Sequence, residues 1–361
     1  MRNDEIVAHT SLRGIAACGV VLYHARLATG PTDWWAGEHL FLHAWLFVDM
    51  FFILSGFILG KKYSRGFVRG SLSGLAGESG RFWVKRAVRI YPNYFAWLLI
   101  AVLVQQVIRL HQGEPLQLDG EAGLSLLLHL ALVQTVLGAP IIWNLPLWSI
   151  TVEMFAYLAF PLLARLRRLG AWADLALIGG GLAVAAAISL SDTLDVVQGG
   201  ESLLRGLAGF SIGLGLSGRS SPLAGRLARG GALSLAQIAA ALATLAAICW
   251  DMEIVAVVGF VALVWTCSIN QGALCRLLSL SVPHFLGRIS FSLYLAHMPV
   301  LSLLLASVGR AERLTGLPLL SDWLWFSGLV LAISILAGTL SYNLLEKRCH
   351  AWRPFKVARA A

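Results

Sequence analysis

The chain has 361 residues, 58% of them hydrophobic and 13% charged, with a mean hydropathy of +0.74. No soluble domain hides apolar surface at that density, so the composition predicts an integral membrane protein. In such a protein the net charge of +9 reports topology first, and no nucleic-acid partner is expected from it.

Apolar runs fall at about 9–28, 41–60, 92–110, 122–138, 147–164, 174–190, 203–217, 231–250, 253–270, 288–308 and 322–345. The first starts within a few residues and lacks a small-residue cleavage site, so it reads as a retained helix and not a removed signal. It contains Arg13 and His24. At about 100° per residue both leave the helix from nearly one face, roughly 16 Å apart along it. A cation in a hydrocarbon span costs about 2.5–3.5 kcal/mol, so it usually faces a cavity or a partner. Snorkelling explains an arginine alone and core packing a histidine alone. Their shared face points to a polar interior.

The second run holds Asp49 within Leu46-Phe-Val-Asp-Met-Phe-Phe-Ile-Leu-Ser-Gly-Phe57. An acid among so many aromatic rings needs a partner. Lying near the outer end of its span, as His24 does, Asp49 is expected to orient that imidazole and fix its tautomer. The plainer alternative is an acid at a helix start near the interface.

A basic loop follows, with Lys61, Lys62, Arg65, Arg69, Arg81, Lys85, Arg86 and Arg89. The positive-inside rule makes it cytoplasmic and places the N-terminus inside. On a helix, residues 81, 85, 86 and 89 form one basic face with Trp83 and Tyr91 interleaved. Such a face suits phosphates, or else anionic lipid headgroups.

The run at 122–138 is bounded by Gly123 and by Gly138-Ala-Pro140. That leaves about fourteen good helical residues, short of the ~20 a span needs. Read as re-entrant, it puts Arg165, Arg167 and Arg168 inside, then Arg219, Arg226 and Arg229, Arg276, and Lys347, Arg348, Arg353, Lys356 and Arg359. Only Arg26, Arg109, Arg205, Arg310 and Arg313 of the 28 basic residues then lie outside. The expected fold is all-α: a polytopic bundle of about ten spans plus the re-entrant segment, with both termini cytoplasmic. Irregular backbone at membrane depth lines a cavity, and the segment hints at one.

Ser149, Glu153 and Tyr157 recur every fourth residue and share one stripe, which points into the bundle. A seam of interhelical hydrogen bonds without chemistry is its rival reading. Arg205 starts a span rich in glycine. Ser290, Tyr294 and His297 lie on one side of another, where Pro299 frees a backbone carbonyl that the His297 ring is expected to meet. His39 and His43 are four apart but lack a third ligand, so no metal site is expected. Cys18, Cys249, Cys267, Cys275 and Cys349 show no close pairing and read as packing residues. Without a linker or repeat, residues 1–361 read as one membrane domain, with its basic loop at about 61–91 and no soluble C-terminal domain.

Six motifs in order resemble the acyltransferase-3 family of membrane O-acyltransferases. They are Arg13 with His24, Phe47-Val-Asp-Met-Phe-Phe-Ile-Leu-Ser-Gly-Phe57, Arg86-x-x-Arg89 running into Ile90-Tyr-Pro92, Leu147-Trp-Ser-Ile-Thr-Val-Glu153, Gly287-Arg-Ile-Ser-Phe-Ser-Leu-Tyr-Leu-Ala-His297 and Tyr342-Asn-Leu-Leu-Glu-Lys-Arg348. The family's glutamate motif usually continues with a second acid, whereas Met154 follows Glu153 here. The resemblance implies transfer of an acetyl or other short acyl group from acyl-coenzyme A to a hydroxyl. The implied acceptors are glycans, lipid-linked sugars or small glycosylated molecules.

The expected enzyme therefore sits among the lipids of a membrane, foremost the bacterial cytoplasmic (inner) membrane. It holds no permanent cofactor and takes acyl-CoA, acetyl-CoA first, as co-substrate. His24 is the expected general base, with Arg13, Asp49 and Glu153 beside it. Arg86 and Arg89, with Lys85 and Arg81, are the expected phosphate ligands. The competing class is a transporter or flippase that uses the same buried charges for passage of a polar substrate.

Overall fold

A computed structural model describes residues 5–29, 38–219, 231–317, 319–320 and 323–351. Among the described residues every regular element is helical. The helices are α1 (Val7–Ala28), α2 (Glu38–Leu42), α3 (Phe47–Arg69), α4 (Leu72–His111), α5 (Gly120–Leu130), α6 (Leu147–Leu166) and α7 (Ala171–Ser191). They continue with α8 (Gly199–Arg219), α9 (Ala232–Cys249), α10 (Glu253–Thr266), α11 (Ala273–Leu278), α12 (Ser281–Thr315), α13 (Trp323–Ser341) and α14 (Lys347–Ala351). Arg226, Arg229, Arg353, Lys356 and Arg359, used above for topology, lie outside the described residues.

Among the described residues seven helices, α3, α4, α6, α7, α9, α12 and α13, are long and apolar enough to cross a membrane. Of the other expected spans, α1 and α8 have 22 and 21 residues but carry Arg13, His24 and Arg205. The third, α10, has 14 residues. The polar content of α1 and α8 matches their place inside the bundle, α1 against α12 and α8 between α3 and α7. Small residues permit these approaches. A side chain at Gly56 would run into the Phe210 carbonyl, and one at Gly14 into the Gly287 backbone.

The segment expected to be re-entrant contains only the 11 residues of α5, about 16 Å of helix and too short to cross. Tyr91 and Tyr94 on α4 dock it by donating to the Leu130 and His129 carbonyls at 2.9 and 2.8 Å. The chain then turns at Leu132, whose φ is +58°. Part of the irregular segment that follows is tied down by hydrogen bonds within the protein. Gly199 N–H donates to the Thr135 carbonyl at 2.9 Å, and the Gln134 and Asn144 amides donate to carbonyls of Leu147 and Leu295.

The basic loop after α3 is largely helix. Ser71 caps α4 by accepting from Gly74 N–H at 3.1 Å, and the helix runs 40 residues. Among the prolines inside spans, Pro161 and Pro299 each free a carbonyl one turn back, because proline lacks an N–H. Pro161 leaves the Tyr157 carbonyl to Trp83 Nε1 at 3.0 Å. Pro299 leaves the Leu295 carbonyl to Asn144 Nδ2 at 3.1 Å, not to His297 as the sequence suggested. Membrane helices tolerate proline when neighbours re-satisfy the backbone in this way.

Candidate active site

Two polar regions occupy the interior. The first is an open-mouthed cavity of about 80 Å³ between α1, α3, α4, α6 and α12. Arg13, Arg86 and Arg89 line one end of it, with Ser55, Glu153, Tyr157 and Ser290. Val48, Phe51, Phe52 and Ile150 line it toward the start of α3 and Ile58 and Leu59 further along, and it reaches Ser149 and Tyr294.

The Ser149, Glu153, Tyr157 stripe faces this cavity, as its four-residue spacing requires. Glu153 Oε1 accepts from Ser55 Oγ at 2.8 Å and from the Tyr157 hydroxyl. Arg86 is 7% exposed and is braced by rings. Its guanidinium lies 5.4 Å from the Tyr63 ring centre and 5.9 Å from that of Phe82, and Nη2 donates to the Tyr63 hydroxyl at 3.2 Å. Arg13 and Arg89 have no ion-pair partner among the described residues. The buried Ser290 hydroxyl and Arg86 Nε also lack a hydrogen-bond partner there. Three guanidiniums thus share a chamber with one carboxylate that is already hydrogen-bonded.

Arg81 and Lys85 do not line the cavity. Phe82, Arg86 and Arg89 sit on the inward face of α4. Residues 81 and 85, one turn apart, lie about 100° away from it, leaving Arg81 exposed and Lys85 half-buried.

The second region surrounds His24. Its Nδ1 lies 3.0 Å from the Val20 carbonyl oxygen and 3.2 Å from His297 Nε2. His297 Nδ1 lies 2.6 Å from the Tyr294 carbonyl oxygen. A carbonyl only accepts, so His297 carries its proton on Nδ1, and its Nε2 is an acceptor in the neutral ring. By the same rule the proton of neutral His24 is on Nδ1, which leaves His24 Nε2 with a free lone pair. That is the tautomer a general base needs.

Asp49, expected to orient His24, does not. Its two oxygens accept from Arg205 Nη2 at 2.7 Å and Nε at 3.0 Å, a bidentate pair. The Arg205 guanidinium lies between the rings of Trp45 and Trp148, 5.0 and 5.3 Å from their centres. The acid needed a partner, and a cation from α8 is a stronger one than an imidazole. Asp195, in the loop before α8, approaches Arg205 Nη1 at 3.9 Å and accepts from the Tyr23 hydroxyl at 3.4 Å. Burial raises the Asp195 carboxyl above its ordinary range.

Arg13 therefore lines the cavity whereas His24 does not; His24 meets His297, whose ring lies 5.7 Å from that of Tyr294. Sequence reasoning singled out His297 but missed its pairing with His24. A signal was present: α1 and α12 run parallel and touch at Gly14 and Gly287. His24 and His297 each follow their glycine by the same number of residues, so both imidazoles stand at one height.

The fold and the interior define an integral multi-pass membrane protein with a cationic chamber. The chain belongs to the acyltransferase-3 family, whose acyltransferase domain matches residues 10–342. It is 32% identical over 165 residues to the acyltransferase MdmB of Streptomyces mycarofaciens, a stretch covering 44% of this chain and 39% of that protein. No solved structure gives a significant match.

Proposed function

We propose that the protein transfers a short acyl group from cytosolic acyl-CoA to a hydroxyl of a carbohydrate or glycosylated acceptor, with His24 as general base. The observation that carries this reading is the chamber itself, where Arg13, Arg86 and Arg89 outnumber the carboxylates, Glu153 in the lining and buried Glu346 acting on Arg13 and Arg89 from beside it. Coenzyme A is polyanionic, and forked guanidiniums match its phosphates. The chamber reaches Tyr294, whose ring stands 5.7 Å from that of His297, the partner of His24, and a thioester tethered by its phosphates extends in that direction. In this reading the spans number ten, both termini and the arginine end of the cavity face the cytoplasm, and the membrane is the bacterial inner membrane.

The acceptor hydroxyl attacks the thioester carbon while His24 Nε2 takes its proton. The His24 imidazolium keeps its Nδ1–H hydrogen bond to the neutral His297 ring. Collapse breaks the C–S bond, and the sulfur leaves with the proton returned from His24. Such base assistance typically supplies about 10²–10⁴-fold.

The test is thiol release and labelled-acetyl incorporation from acetyl-CoA, measured with the protein in native membranes that contain its acceptor. Saturable turnover is expected. Absence of thiol release with both donor and membranes present would return the protein to the transporter class.

A further inference from the structure

Tyr294 lies where the two polar regions meet. Its side chain lines the cavity, and its ring stands 5.7 Å from Phe51 on the cavity side and 5.7 Å from the His297 ring on the other. The residue is 5% exposed, and its hydroxyl lies 2.8 Å from Ser149 Oγ. Ser149 Oγ also lies 3.1 Å from the Pro146 carbonyl oxygen, which can only accept. The single serine proton goes there, so Tyr294 is the donor to Ser149. The resting arrangement thus aims a phenolic O–H at Ser149, a partner in the cavity lining that is itself uncharged.

Acyl transfer needs a donor at that place. When a hydroxyl adds to a thioester, the carbonyl oxygen gains negative charge, and donors aimed at it are worth far more in a water-poor interior than in water. No arginine serves this end of the chamber: Arg13, Arg86 and Arg89 sit at the other, and Arg205 is committed to Asp49. A neutral hydrogen bond contributes only about 0.5–1.5 kcal/mol net, so exchanging Ser149 for an oxyanion is downhill.

Resting on the acyl-CoA reading above, we infer that Tyr294 is a further catalytic residue, whose hydroxyl donates a hydrogen bond to the thioester carbonyl oxygen during transfer. As the acceptor oxygen forms its bond to carbon, the carbonyl π pair moves onto oxygen and is held there by the Tyr294 O–H, which keeps its proton. The pair returns as the C–S bond breaks. The thiol sulfur takes from His24 the proton that the acceptor gave up, so Tyr294 ends the cycle unchanged.

Tyr294→Phe preserves the ring contacts and removes only the donor. With acetyl-CoA and native membranes, kcat is expected to fall about 10²–10³-fold, the usual effect of losing one such donor. The KM for acetyl-CoA should stay within about threefold of wild type, and protection of the protein against thermal unfolding by free coenzyme A should be unchanged. A kcat within about threefold of wild type would overturn the inference. So would a loss confined to KM or matched by lost thermal protection, since either assigns Tyr294 to donor binding or packing. Failure of the underlying reading looks different, because wild-type protein would then turn over no acetyl-CoA.

Discussion

Around Asp49, Arg205 spends its charge inside the protein, with two hydrogen bonds to the carboxylate and a tryptophan ring on either side. Around Glu153, Arg13 and Arg89 find no ion-pair partner among the described residues, and Ser290 and Arg86 leave polar atoms unsatisfied. Both regions bury cations in the same bundle, but among the described residues only the first holds its cation in ion pairs, while Glu153 and Glu346 act on the arginines of the second without pairing with them. A matched buried pair holds helices together, whereas an unmatched cluster stays costly until an anion enters it. Composition alone cannot separate these roles. The hydrogen-bond partners do.

The comparison predicts how substitutions divide. The largest loss of activity should come at the base: His24→Ala is expected to lower kcat about 10²–10⁴-fold while leaving membrane abundance unchanged. Near-normal thiol release would remove the base assignment and with it the purpose of the His297 pairing. Asp49→Ala should behave oppositely. It takes the bidentate partner from Arg205 and leaves only Asp195 at 3.9 Å; breaking such a buried pair typically costs about 3–5 kcal/mol, so the variant should unfold earlier in detergent. If Asp49 instead acted on His24, the variant would fold normally and lose turnover. Measuring melting and specific activity of the folded fraction together distinguishes the two.

Much of this was legible before any coordinates. Local periodicity placed the Ser149, Glu153, Tyr157 stripe and the 13/24 face, because helix geometry is fixed by the chain itself. The shortness of the 122–138 segment likewise follows from counting residues against bilayer thickness. Partner choice was not legible. That Asp49 takes Arg205 depends on the close approach of α3 and α8, through glycines such as Gly56 and Gly213, which brings together residues far apart in sequence. The carbonyl freed by Pro299 was foreseen, yet its recipient, Asn144, comes from the irregular return after α5. Such choices are made by tertiary packing.

The basic face of α4 gives the finest version of the contrast. All four cations there were expected to serve the donor phosphates, but helix rotation divides them. Arg86 and Arg89 enter the cavity, while Arg81 and Lys85 turn away. A hydrogen bond to a charged group is worth about 1.5–3 kcal/mol, so Arg86→Ala combined with Arg89→Ala should raise the KM for acetyl-CoA about 10–100-fold, with a smaller change in kcat. Arg81→Ala with Lys85→Ala removes the same formal charge at positions where solvent and salt screen it. Its KM should shift less than about twofold, and that shift should fade as ionic strength rises. Equal effects of the two pairs would mean that donor capture follows net cytosolic charge, and that the cavity does not select its phosphates.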